Sequence, residues 1–211
     1  GSKRDNHVKP VFLNPALLVH NTWDFNVVPY MSCICIQLEF LTRFIDLAGI
    51  KYDVPRQDTE PIDVTRIKIY KEYCLASPRN STDAVCEQFA QDHDPTVTEI
   101  YYYGDSSGLN RMPGMGNITN FKLIEEKLYP FLHNDSKKVR GQNVPPLKRR
   151  DLMNDILRGK YPHIEIEIDE ENCPNTISDF ENVKLGPKGK VKNRIKDENK
   201  ISYEENGHCF I

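Results

Sequence analysis

Two aspartates close strand-like runs far apart in the sequence, and their type and setting suit metal-assisted chemistry. Asp24 ends the run Leu17-Leu18-Val19-His20-Asn21-Thr22-Trp23 and precedes Phe25-Asn26-Val27-Val28-Pro29. Asp105 ends Val97-Thr98-Glu99-Ile100-Tyr101-Tyr102-Tyr103-Gly104 and precedes Ser106-Ser107-Gly108. A carboxylate at the point where a buried strand gives way to a loop is held by a rigid sheet and can point into a crevice at the carboxyl ends of the strands. Two such carboxylates can share divalent metal ions. Taken singly, each reads first as a turn former, since Asp beside Gly or Ser is common in turns.

The elements that would position these acids follow from periodicity. Ala16 to Asp24 reads as a first strand. After a turn at Pro29, Met31 to Phe40 alternates Ile34, Ile36 and Leu38 against Cys33, Cys35, Gln37 and Glu39, the period of a second strand. Arg66 to Cys74 reads as a third, and three strands on short connections favour an antiparallel meander. Ser81 or Thr82 caps a helix carrying Val85 and Phe89 that ends near His93 and Pro95. Val97 to Tyr103 is a fourth strand; reached through a helix, it lies parallel to an earlier one, which would bring Asp105 beside Asp24.

Downstream, Gly104 to Gly116 is too irregular for an element. A helix capped at Thr119 or Asn120 carries Phe121, Ile124, Leu128 and Phe131 on one face. Pro145-Pro146 opens another, with Leu147, Leu152, Met153, Ile156 and Leu157 apolar, and Gly159 stops it. Ile164, Ile166 and Ile168 alternate with acids in a half-buried strand, Cys173, Ile177 and Phe180 mark a last helix, and Leu185 onward suggests a basic hairpin. No internal repeat or long low-complexity linker occurs. The expected organisation is a lead-in with a tag remnant over 1–15 and one domain over 16–211; Gly1-Ser2 looks like a cloning scar on a fragment of a longer protein.

Composition narrows the function classes. Of 211 residues 38% are hydrophobic and 28% charged, as in a soluble globular protein, and no run of about eighteen uncharged apolar residues exists to span a membrane. Six cysteines without a CxxC pair argue against structural zinc and for buried free thiols, Cys33 and Cys35 on one strand face. The net charge of −3 exerts no global pull on nucleic acid. Basic residues cluster locally, at Lys137-Lys138-Val139-Arg140, at Lys148-Arg149-Arg150 and from Lys188 through Lys190 and Lys192 to Lys196. Such stripes are ordinarily solvated surface.

Strands one to three, a helix and a fourth strand ending in an acid is the order of the ribonuclease H-like fold, shared by many ATPases and nucleases. The wording around the acids is more specific. Trp23-Asp24-Phe25-Asn26-Val27-Val28-Pro29 resembles the first-acid motif of the nuclease domain of the tailed-phage terminase large subunit, the DNA-packaging motor. Tyr103-Gly104-Asp105-Ser106-Ser107-Gly108 is similar to its second-acid motif. Val144-Pro145-Pro146 with Arg149 and Asn154, then Ile168-Asp169 with Cys173, then Ile177-Ser178-Asp179-Phe180-Glu181, resemble later segments in family order, and Gly207-His208 resembles the stretch ahead of the third acid. The family places that third aspartate shortly after the histidine, whereas here Ile211 closes the sequence. No GxxxxGK[ST] phosphate loop occurs, so nucleotide hydrolysis is not assigned to this chain.

The resemblance implies a ribonuclease H-like mixed sheet, an antiparallel meander extended by parallel strands and flanked by helices. It implies an endonuclease that cuts concatemeric double-stranded DNA with two Mg²⁺ or Mn²⁺ ions, Asp24 bridging them, Asp105 binding one, and His208 orienting water or contacting the phosphate. Phosphate contacts would come from Arg140, Lys148, Arg149, Lys188, Lys190 and Lys192, and Asn26 would position Asp24 or cap a turn. In the full-length protein the partners would be an ATPase domain, the portal and the small terminase subunit, with no membrane. The location would be the host cytoplasm and not the mature virion. A Holliday-junction-type resolvase, another ribonuclease H-like nuclease, and a catalytically silent DNA- or portal-docking domain are the alternatives.

Overall fold

The computed structural model of the protein describes residues 7–26, 29–112, 116–139, 144–182, 185–186, 189–190, 194–196 and 202–204. Its centre is a mixed sheet built from β1 (Val8–Lys9), β2 (Val19–Asp24), β3 (Tyr30–Asp46), β4 (Lys51–Tyr52), β5 (Thr59–Ala76), β6 (Ile100–Gly104), β7 (Leu132–Lys137) and β8 (Ile164–Asp169). The strand order is β1-β8-β5-β3-β2-β6-β7, with β4 paired to β3. β2, β3 and β5 form an antiparallel meander. β6 and β7 extend it in parallel beyond β2, and β8 and β1 in parallel beyond β5. With helices on both faces this is a ribonuclease H-like α/β sheet, as the sequence leads one to expect.

Four helices flank it: α1 (Thr82–Asp92), α2 (Asn120–Lys127), α3 (Pro146–Leu157) and α4 (Pro174–Asn182). Their starts follow local chemistry. The Ser81 hydroxyl accepts from the Ala84 N–H, and the Thr119 hydroxyl from the Lys122 N–H, each satisfying a donor that the first helical turn leaves open. Prolines stand at the start of α3 and α4, where no N–H is needed. Gly159 ends the stretch after α3 with φ +75, a conformation that side chains other than glycine's disfavour.

The period-two alternation divides the core in two. Val19, Trp23, Cys33, Cys35, Ile100 and Tyr102 point to one face, against Val85, Cys86 and Phe89 of α1 and Phe121 and Ile124 of α2. Ile34, Ile69, Ile166 and Ile168 point to the other, against Ile156 of α3 and Ile177 of α4. Burying each such side chain stabilises by about 1.5–3 kcal/mol before ordering costs. Cys33, Cys35, Cys86 and Cys173 are buried free thiols and Cys74 is half-buried.

The structure departs from the sequence reading in four places. β3 and β5 stay paired from Tyr30–Ala76 to Asp46–Thr59, whereas β2 joins β3 only from Ser32 to Gln37, so the β3–β5 ladder runs on past the start of β2 as an arm that β4 joins at Phe44 and Ile45. β6 begins at Ile100 because Asp94 draws the preceding residues into a turn, its carboxylate accepting from the Thr96 N–H at 2.8 Å and its carbonyl from the Thr98 N–H at 2.9 Å. β7 is a polar edge strand, broken by a register shift and by Asp135 at φ +61, and shows no alternating apolar pattern. Val8 and Lys9, in the stretch read as lead-in, form a strand because they pair with Ile168 and Asp169. The basic hairpin is observed as β9 (Leu185–Gly186) with β10 (Gly189–Lys190); β11 (Arg194–Lys196) pairs with β12 (Ser202–Glu204). Among the described residues no helix is long and apolar enough to cross a membrane.

Candidate functional site

β2 joins the antiparallel and parallel halves of the sheet, and Asp24 is its last residue. On one side Asp24 pairs with Ser32 of β3; on the other, Trp23 pairs with Gly104 of β6. Asp105 follows Gly104, so the two acids lie one residue beyond the same paired step on adjacent parallel strands, which run about 4.8 Å apart. Alternation puts Asp24 on the face of His20 and Thr22, opposite Trp23. Asp105, its backbone still extended at φ −62 and ψ 145, continues the alternation of Tyr101 and Tyr103 on that same face. The α1 crossover expected from sequence does bring the acids side by side.

Each carboxylate is held by its own turn. The Asn26 side-chain amide donates to both oxygens of Asp24, at 2.7 and 2.9 Å, and the Asn26 N–H donates to Oδ1 at 3.3 Å. Asp105 Oδ1 accepts the Ser107 N–H at 2.6 Å and opens a 3-10 turn over Ser106–Leu109. The turn-former reading and the ligand reading are therefore compatible. A carboxylate accepts about four hydrogen bonds or ligands, and these turn bonds do not by themselves exhaust either acid.

The two turns are locked to one another by aromatic contact. Phe25, next to Asp24, meets Phe121 of α2 edge-on with ring centroids 5.0 Å apart and stacks on Trp23 at 6.3 Å. Gly108, in the turn after Asp105, lies against both phenylalanines; a Cβ there would sit 2.2 Å from Phe25 Cε2 and 2.7 Å from Phe121 Cε2. Glycine is required because the two phenyl rings occupy the space a side chain would need. The backbone behind one acid thus rests on the side chain behind the other.

Electrostatics at this end of the sheet are mixed. Lys138 Nζ lies 4.9 Å from the Tyr101 ring centroid and pairs with Asp135 at 2.5 Å, a hydrogen bond that raises its pKa. Burial works to raise the Glu125 carboxyl, but hydrogen bonds from Tyr102 and Lys137 outweigh it and hold it below the usual range. Burial lowers His20 and raises Tyr103. On the face that carries the acids, the buried Glu72 carboxylate takes the Asn175 and Thr176 N–H groups, both at 2.7 Å, and so fixes the start of α4.

Of the other residues singled out from sequence, Lys148 is exposed on α3 and Arg149, beside it, is half-buried. Lys190 lies in β10. Arg140, Lys188, Lys192 and His208 lie outside the described residues. Among the described residues no group of three or more His, Cys, Asp and Glu side chains is placed to hold a metal ion. Sequence reasoning missed the Phe25–Gly108–Phe121 contact; the Gly in Ser107-Gly108 was its only trace, in a stretch read as too irregular for an element. It also missed that Tyr101 and Tyr103 stay half-buried while Tyr102 enters the core, since three successive tyrosines signal strand propensity without saying which ring the core takes.

No protein-family model matches the chain, and no curated protein does. Among solved structures the chain is similar to the large terminase from a thermophilic bacteriophage, alone and in complex with ADP. In both cases the identity is 13% and the TM-score 0.48, with 90% of this chain and 39% of that chain covered. The chain spans about two fifths of that terminase, and the likeness is one of chain path.

Proposed function

We propose that the chain is the metal-dependent endonuclease domain of a viral terminase large subunit, cutting concatemeric double-stranded DNA during genome packaging. The observation that carries this reading is the placement of Asp24 and Asp105 one residue beyond the same paired step of β2 and β6, on one face, at the carboxyl ends of parallel strands. The motif resemblance around both acids supports the family.

The donor set suits Mg²⁺ or Mn²⁺: both groups are carboxylates, hard oxygen ligands, while the thiols of Cys33 and Cys35 on neighbouring β3 are turned into the core. Asp24 and Asp105 would hold two ions, which when bound supply an activated water and charge stabilisation at the leaving oxygen. Asn26 fixes the plane of the Asp24 carboxylate, and the Ser107 N–H fixes that of Asp105. Such pre-orientation avoids reorganisation during the reaction. Lys148 and Arg149, with Lys190, Arg140, Lys188 and Lys192, would hold phosphates and set position without reading sequence. His208 would orient the attacking water. The ATPase domain, portal and small subunit are the partners of the full-length protein in this reading, and the host cytoplasm its location.

The test is plasmid nicking with Mn²⁺ by the chain and by the Asp24→Asn/Asp105→Asn double variant, with Mn²⁺ binding followed by calorimetry. The double variant should keep its melting temperature, lose Mn²⁺ binding and lose nicking by at least about a hundredfold. Nicking unaffected by both substitutions together would overturn the assignment.

A further inference from the structure

Below the acids, the sheet face that carries them presents aromatic rings that the core does not use. Tyr102 is 1% exposed, packs with Phe121 and donates its hydroxyl to Glu125 at 2.6 Å. Its neighbours Tyr101 and Tyr103 point the other way, are half-buried, and belong to neither apolar cluster. His20, paired across β2 with Tyr101, joins them: its Nδ1 lies 3.0 Å from the Tyr103 hydroxyl and its ring 5.6 Å from that of Tyr101. The described helices on this side contact elsewhere, α3 against β8 and α4 against β5. Among the described residues, His20, Tyr101 and Tyr103 line this face over β2 and β6.

Lys138 adds charge. Its Nζ stands over the Tyr101 ring, 4.9 Å from the centroid, and pairs with Asp135. His133 closes the edge, its ring perpendicular to Tyr101 at 5.5 Å and its Nε2 3.9 Å from Glu99. Along β2 and β6 the order is fixed by register: the acids at the rim, then Thr22 with Tyr103, then His20 with Tyr101 further down. The rings are continuous with the proposed cutting site.

We propose that this face is a stacking platform for single-stranded DNA, engaging the unpaired bases of a strand that passes the Asp24–Asp105 rim. Bases inside a duplex are already stacked on one another and cannot reach ring faces on a flat sheet; splayed bases can, and aromatic residues on a sheet face take them without sequence preference. Lys138 is the cation that such a platform sets beside its rings to meet the backbone. The direction of the strand rests on the nuclease reading, whereas the stacking does not.

The experiment measures binding of a fluorescein-labelled oligothymidylate to the 211-residue chain by anisotropy in EDTA, where no cleavage occurs. Tyr101→Ala and Tyr103→Ala should each weaken binding on the order of tenfold, and Tyr101→Leu and Tyr103→Leu should do the same because they keep bulk but lose the π-face. Tyr101→Phe and Tyr103→Phe should stay within about twofold, since the ring remains. Lys138→Ala should reduce the salt slope by about 0.7, as for one phosphate contact on a single strand. Leucine variants that bind like the parent, or that lose blunt duplex to the same extent as the oligothymidylate, overturn the proposal. Binding is also measured on the Asp24→Asn/Asp105→Asn variant. Ring-dependent binding there supports the platform even if nicking proves independent of the acids; acid-dependent nicking with ring-independent binding overturns the platform alone.

Discussion

Gly108→Ala tests whether the two acid-bearing turns are one mechanical unit. The new Cβ would lie 2.2 Å from Phe25 Cε2 and 2.7 Å from Phe121 Cε2. Carbon atoms rest about 3.5–4.0 Å apart, so the edge of Phe25 must retreat by about 1.3–1.8 Å. Phe121 is fully buried and gives little, while Phe25 is confined between Trp23 and Phe121. Overpacking of this kind costs about 1–3 kcal/mol, and at about 2–4 °C per kcal/mol for a chain this size a loss of about 2 kcal/mol lowers the melting temperature by about 4–8 °C. Retreat of Phe25 drags the backbone after Asp24, and retreat of the turn instead drags Asp105. A misplacement of about 1 Å in a catalytic group costs on the order of a hundredfold in rate, so Mn²⁺-dependent nicking should fall well beyond what the lost stability explains. Phe25→Leu, placed in the Gly108→Ala background, should restore part of both readouts. A Gly108→Ala protein that melts and nicks like the parent would refute the reasoning at its first step.

Three further perturbations follow from the same contacts. Glu72→Gln puts an amide against donors from Asn175 and Thr176 that now converge on a carboxylate, removing about two charge-assisted bonds worth about 3 kcal/mol together; thermal melting should drop by about 6–12 °C, and an unchanged midpoint would mean the carboxylate does not fix α4. Asn26→Ala frees the plane of the Asp24 carboxylate at an exposed position, so Mn²⁺ affinity and nicking should fall about tenfold with melting unchanged, and parental Mn²⁺ titrations would remove Asn26 from the site. Burial lowers the pKa of His93, whose Nδ1–H donates to the Phe89 carbonyl at 3.0 Å while Nε2 accepts from the Tyr70 hydroxyl at 2.9 Å, the neutral tautomer. The unfolded chain then binds the proton more tightly, so this contribution is intact above about pH 6.5 and declines as pH falls below it; melting between about pH 8 and 5 should show the decline, and His93→Gln should flatten it.

The meander, its helix crossover and the paired acids were legible because each rests on local rules that the tertiary structure does not override. Alternation from Met31 to Phe40 names the buried faces, Ser81 and Thr119 name helix starts, and a helix between strands forces a parallel return. What escaped depends on partners distant in sequence. Arm residues beyond Gln37 carry charges on both strands, Arg66 meeting Glu39 across the ladder and Glu165 of β8, a mixed pattern in which no apolar period announces the pairing. β7 is an edge strand, needing neither a buried face nor alternation, and its polar sequence reads as a loop.

The acids show the same division at atomic scale. That Asp24 and Asp105 end adjacent strands on one face follows from topology, and topology follows from sequence pattern. That they are held depends on Asn26, Ser107 and the Phe25–Gly108–Phe121 contact, which require knowing that β6 stops one residue before Asp105 and that α2 lies beneath it. Composition near an acid tells which ligands are present; only the register tells which of them face the same way. The three tyrosines make the point within one strand: identical side chains at successive positions, where Tyr102 completes the core and Tyr101 and Tyr103 stay half-buried on the opposite face with the carboxylates. A face that keeps two large rings out of the core while sharing its rim with two acids is a surface with chemistry to contact, and the rings and the acids are separable by substitution.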